Sequence, residues 1–221
     1  YPTKNYVSED RLVVRQGDYR STLLRYDLEA LPPGSRITTA KLHLYLQYRS
    51  GSHVLPVEVY GVARPWVVEE ATYQRASRAR AWFQEGVNGL GQDLVAPILT
   101  AVNLSGQGKW VTFDVTRMAQ TWVGSPDYNH GLVIKGEGGV SVEYQFVSSE
   151  WAPVPGLRPR LVVSWESGPA PTAAPPTATL PGVPTETLKP PRETPTASAT
   201  TMPVVTPRPT EEQVRLVLQP G

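Results

Sequence analysis

The chain has 221 residues, with 21 Lys and Arg against 20 Asp and Glu, a net charge of +1. Scattered basic residues at that balance argue against a nucleic-acid surface or an anionic-membrane patch, both of which concentrate Lys and Arg on one face. Without Cys there is no disulfide, zinc–thiolate site or thiol nucleophile, and no run approaches the roughly 18 apolar residues of a membrane span.

Short strands with turn punctuation fill the first three quarters of the chain. Arg11 to Arg15 is one run, and Ser21 to Leu28 is a second that ends in the turn signal Leu31-Pro32-Pro33-Gly34-Ser35. From Ile37 to Tyr48 the alternation puts Leu42, Leu44 and Leu46 on one face and Lys41, His43, Tyr45 and Gln47 on the other. Val54 to Val62 alternates around Pro56, which suits a strand start or an edge. The stretch from Thr72 to Phe83 has a poor apolar stripe and is expected to be mostly loop. Runs at 98–104, 109–113, 131–135, 141–147 and 159–165 complete the set. One helix is signalled: Asp114 caps it, Val115, Met118, Ala119, Trp122 and Val123 fall at helical spacing, and Gly124 and Pro126 stop it. Many short strands at this spacing predict an all-β chain, a jelly-roll-like antiparallel β-sandwich with one short helix over residues 1–166.

Residues 167–210 are a Pro/Thr-rich linker: 12 of the 23 Pro lie between Glu166 and Thr210, and no aromatic residue does. Polyproline II is the expected conformation. Fully extended at about 3.1 Å per residue it reaches roughly 130 Å, and as a flexible coil roughly 35–40 Å. Residues 211–221 form a strand-like tail in which Val214, Leu216 and Leu218 share one face. A lone apolar strand needs a sheet to pair with. The first residue is Tyr rather than Met, so the chain is expected to be processed or a fragment of something longer.

Several segments in order resemble a known family. They are Leu23-Leu24-Arg25-Tyr26-Asp27-Leu28, Leu31-Pro32-Pro33-Gly34, Ile37 to Tyr45, Val57-Glu58-Val59-Tyr60 and Arg64-Pro65-Trp66. Trp110 to Thr116, Trp122, Asn129-His130-Gly131-Leu132, Ser148-Ser149-Glu150 and Arg158-Pro159-Arg160-Leu161 follow. The set resembles the DNRLRE-type domains of secreted bacterial proteins, which overlap with carbohydrate-binding module family 96. The resemblance implies a jelly-roll-like sandwich in a secreted or surface-attached protein, some of whose relatives bind polysaccharide. Domains of this type open with a strand before an Asn-Tyr-Gly turn. Here Asn5-Tyr6-Val7 stands where that turn belongs, so the opening strand is missing. The tail, in turn, looks like the start of such a domain. Two readings follow: the tail inserts into a neighbouring subunit, or it begins the next domain of a tandem array.

Catalytic constellations are sparse. A Ser-His-Asp set needs a positioned His, and His43, His53 and His130 sit on a strand face or in turns. No two His stand at metal-ligand spacing, and calcium has only loop carboxylates such as Asp93 or Asp127 to choose from. Glu69, Glu70, Glu143 and Glu150 read as solvated charges rather than a glycosidase pair. Sugar binding needs exposed aromatic rings. Trp110 and Trp122 sit in motifs that look like core, which leaves Trp82 and Trp151, in loop-like regions, as the carbohydrate-binding candidates.

The expected function is a non-catalytic, cofactor-free, extracellular structural subunit. Val214, Leu216 and Leu218 would complete the sandwich of a neighbouring copy, head-to-tail, to build a filament. The alternative is a carbohydrate-binding module on a stalk, or one repeat of a surface adhesin.

Overall fold

The computed structural model describes residues 2–32, 34–166 and the backbone of residues 214–218. The expectations for the linker lie outside the described residues. The strands in chain order are β1 (Arg11–Arg15), β2 (Thr22–Leu24), β3 (Arg36–Arg49), β4 (Leu55–Val62), β5 (Arg75–Ser77) and β6 (Arg80–Ala81). Next come β7 (Leu94–Leu104), β8 (Lys109–Asp114), the helix α1 (Thr116–Gly124), β9 (Leu132–Gly136), β10 (Glu143–Val147), β11 (Arg160–Glu166) and β12 (Val214–Leu218).

Two antiparallel sheets form the expected β-sandwich. One runs β2-β9-β4-β7; the other runs β1-β10-β3-β11-β12, with β8 on the far side of β3. The long strand β3 is the spine of that second sheet. Its residues Lys41, Leu42 and His43 pair with β8 on one edge and β11 on the other, while Leu46 pairs with Lys109 of β8 and Phe146 of β10. Strands β10 and β11 therefore lie end to end along one edge of β3. Outside them lie β1, antiparallel to β10, and β12, antiparallel to β11, so these two also share one row.

The alternation of β3 is realised as predicted: Leu42, Leu44 and Leu46 are fully buried, facing a core that includes Val57, Val59, Phe113, Ile134, Tyr144 and Phe146. Each such side chain contributes about 1.5–3 kcal/mol by leaving water. The helix starts one residue later than its apolar periodicity, at Thr116, whose N–H donates to Asp114 Oδ1 at 3.0 Å. Its buried face is Met118, Ala119 and Trp122, as the spacing requires.

The stretch from Thr72 to Phe83 is not simply loop. It folds as the hairpin β5–β6 and delivers Ala76 and Trp82 to a second apolar cluster with Val62, Trp66, Val87, Leu94 and Val133. The fastener of this segment is Asp93, which is fully buried. It pairs with Arg64 Nε at 2.9 Å and accepts the N–H groups of Phe83, Gln84 and Gly89. With those partners in place Asp93 is a structural anion, not the calcium ligand weighed from sequence.

The tail is a strand, paired with β11 of its own chain. Val214, Leu216 and Leu218 stand opposite Trp165, Val163 and Leu161, all three of which belong to the buried core.

Candidate functional site

A cleft of about 620 Å³ opens where the segment after β2 meets the end of α1. Arg25, Tyr26, Asp27 and Glu29 line one side, and Trp122, Val123, Pro126 and Asn129 the other. The local sequence explains the shape. Strand β2 ends at Leu24, and Asp27 Oδ1 accepts the Glu29 N–H at 2.8 Å, turning the chain outward. Opposite, Pro126 starts a short 3₁₀ turn, Pro126–Tyr128, which brings Asn129 round. Asn129 Nδ2 then donates to the Tyr26 carbonyl at 2.8 Å and ties the two walls together. Gly131 lets the chain pass close to β2: its φ is 81°, and a Cβ there would collide with the Leu24 carbonyl oxygen. Trp66 Nε1 donates to the His130 carbonyl at 2.7 Å, and the Arg25 guanidinium sits 5.5 Å from the Trp66 ring.

Three residues that line this cleft each carry a buried polar atom with no protein partner: Tyr26 Oη, Trp122 Nε1 and Asn129 Oδ1. Tyr26 is 0% exposed and Trp122 1% exposed. Buried polar atoms are hydrogen-bonded as a rule, and leaving one unpaired costs about 1–3 kcal/mol. A hydroxyl, a donor and an acceptor are thus left unpaired in the walls of one cleft. All three are uncharged. Burial pushes the Tyr26 phenol up, so it stays protonated. The neighbouring His130 is held below its ordinary value by burial and by the Arg25 charge, which favours a neutral imidazole. The charges, on Arg25, Asp27 and Glu29, belong to the same lining.

The aromatic residues singled out from sequence are placed differently. Trp82 is 4% exposed, with its Nε1 donating to the Thr72 carbonyl, so it is not the exposed platform expected. Its neighbour Phe83 carries the exposed ring. Trp151 is half-buried in the loop between β10 and β11, and its Nε1 has no partner. Neither Trp82 nor Trp151 lines the cleft. Trp110, expected in the core, is instead half-buried on the outer face of the β3 sheet. There it meets the Tyr45 ring edge-on at 5.5 Å and the Arg160 guanidinium at 4.3 Å. Of the carboxylates weighed for glycosidase chemistry, Glu70 accepts the Arg78 N–H, Glu143 accepts from Gln145 and Glu150 accepts from the Ser149 hydroxyl.

Tyr26, Trp122 and Asn129 all belong to the segments that carry the family resemblance. Their polar atoms were the available signal, since a buried core position needs no phenol, indole N–H or amide. The match extends over the whole sandwich: the model of carbohydrate-binding module family 96 covers residues 1–164, and the chain belongs to that family.

Proposed function

We propose that the sandwich is a non-catalytic module that binds a polysaccharide chain outside the cell. We further propose that the Tyr26–Trp122–Asn129 cleft is where it holds a sugar residue. The observation that carries the reading is a cleft in a family 96 domain whose walls hold three buried polar atoms that no protein group pairs. Sugar hydroxyls both donate and accept, so one pyranose could satisfy a phenol, an indole N–H and an amide oxygen together once the cleft widened enough to bare them. Trp151, half-buried with a free indole N–H, is a second contact to test.

The experiment is affinity electrophoresis of the full chain through gels containing neutral polysaccharides (β-glucan, xylan, mannan) or acidic ones (pectin, alginate). Retardation by a neutral polymer that weakens in Tyr26→Phe and Asn129→Ala is the expected result. Retardation unchanged in both variants but lost in Trp151→Ala moves the site to the β10–β11 loop. No retardation in any gel overturns the reading.

A second reading attaches to the tail. Strand β12 pairs with β11 of its own chain; in the self-association reading the same strand is donated to the β11 of another copy. A head-to-tail filament is the extended form of that contact. Sedimentation of the full chain against a chain lacking residues 211–221 tests it: larger species only in the full chain support it, and identical monomers refute it.

A further inference from the structure

The outward face of the β3 sheet gathers aromatic rings that the core does not use. Tyr45 lies between the buried Leu44 and Leu46 and so points outward; its register partner on β8 is Trp110, next to the inward Val111. The two rings meet edge-on at 5.5 Å. Strict alternation would send Tyr48 inward with the leucines. A β-bulge prevents it: Leu46 pairs with Phe146 and Tyr48 with Gln145, so Gln47 is the extra residue. Tyr48 therefore stands opposite Gln145, whose neighbours Tyr144 and Phe146 are both fully buried, and it is 48% exposed. It lies three residues beyond Tyr45, roughly 10 Å along the strand. From the other edge of β3, Arg160 of β11 lays its guanidinium on the Trp110 ring at 4.3 Å, and its Nε is buried with no protein partner.

We infer that this face is a second polysaccharide-binding surface, on which a neutral, extended chain lies along β3 with its sugar rings against Trp110 and Tyr48. This rests on the polysaccharide reading above and adds a site of a different kind, since none of Tyr45, Tyr48 and Trp110 lines the cleft. The Tyr45–Trp110 pair by itself is an ordinary cross-strand contact. Tyr48 is not explained that way: the residue across from it is Gln145, and the bulge that turns it outward interrupts the ladder to do so. A pyranose presents C–H groups on its less polar face, and these meet the negative face of an aromatic ring. The Gln145 amide oxygen, the exposed Thr112 hydroxyl and the Arg160 guanidinium supply acceptors and donors for the hydroxyls at the rim. Lys41 is neutralised by Asp114 at 2.6 Å, and the Arg160 charge rests on the Trp110 ring, which suits an uncharged chain rather than a polyanion.

The test runs full-length variants through gels of β-glucan, xylan, mannan, pectin and alginate, with affinity taken from retardation across polymer concentrations. Tyr48→Ala and Trp110→Ala should each weaken binding to the retarding neutral polymer by about 3- to 10-fold. Tyr48→Phe, which keeps the ring, should bind as the unchanged chain does. Tyr48→Ala combined with Tyr26→Phe should lose the product of the two separate factors, as independent sites do. Urea unfolding shows whether Trp110→Ala keeps its sheet; Tyr48→Ala, at a half-exposed position, carries the test if it does not. Unchanged retardation in Tyr48→Ala overturns the face, and the cleft reading still stands if Tyr26→Phe and Asn129→Ala weaken binding. Weakening in the face variants alone supports the face and takes the sugar out of the cleft. Retardation by pectin or alginate only overturns the assignment to a neutral chain. No retardation in any gel overturns the face together with the polysaccharide reading.

Discussion

Replacing Tyr26 with Phe separates a ligand-seeking hydroxyl from a structural one, because the two roles move stability and affinity in opposite directions. Tyr26 is 0% exposed and its Oη has no protein partner. A buried unpaired hydroxyl costs about 1–3 kcal/mol, part of which a trapped water recovers. Phe keeps the ring and its packing, so the free protein should be unchanged or more stable by up to about 1 kcal/mol. Tyr26→Ala would instead open the core and cost about 3–5 kcal/mol, which says nothing about the hydroxyl. The bound state should lose one neutral hydrogen bond, about 0.5–1.5 kcal/mol, or roughly 2- to 12-fold in Kd. Urea unfolding of the free protein gives the first number, and calorimetric titration with an oligosaccharide of the retarding polymer gives the second. Destabilisation beyond about 1 kcal/mol would mean that the hydroxyl is already paired inside the protein. Unchanged affinity would place the sugar elsewhere. Either result defeats the assignment.

Asp93→Ala should be among the most damaging single changes, at about 3–5 kcal/mol by urea unfolding, since it removes the counter-charge of Arg64 and leaves three backbone N–H groups without their acceptor. Gly131→Ala should cost about 3 kcal/mol or more: it combines a left-handed φ of 81° with a collision against the Leu24 carbonyl, and it should loosen the cleft wall as well. At Asp114, burial alone would raise the pKa, but hydrogen bonds from Lys41 and Thr116 and the Lys41 charge outweigh it, taking the group from 3.8 to about 2. Because the folded value is the lower one, its stabilisation is present above about 3.8 and fades as pH falls towards 2. A carboxyl NMR titration should show this midpoint, and Lys41→Met should move it up.

Where a period of two ran without interruption, the sequence was readable. The leucines of β3 and the apolar face of α1 are where alternation and helical spacing put them. Errors arose where burial depends on partners far away in the chain. Trp82 lies in a stretch with no clear period, and its neighbour Phe83 faces the other way, so composition could not tell which ring is outside. Trp110 was assigned to the core for its motif, yet it sits on the outward parity of β8, beside the inward Val111 and Phe113. Strand β7 begins at Leu94, earlier than expected, because its irregular start around Pro97 lies on a sheet edge, where a missing N–H is tolerated. The cleft was hidden for a different reason. Each of Tyr26, Trp122 and Asn129 has an adequate explanation as a fold-determining residue, and only the absence of hydrogen-bond partners marks them out together. The tail's strand character was legible from its alternation. Its partner was not, because backbone pairing leaves no mark in side-chain identity.

The antiparallel seat of β12 also sets how the molecule answers tension. Val214 stands opposite Trp165, so the chain leaves the sheet after Glu166 and re-enters it beside that same residue. A pull on the segment between them loads one end of the β11–β12 ladder, and the pairs open in succession from Trp165–Val214 towards Leu161–Leu218. That is unzipping, which breaks backbone hydrogen bonds a few at a time, rather than shear, which would load all five register pairs at once. The joint is therefore built to yield first, while the β3 spine and the sandwich around it stay folded.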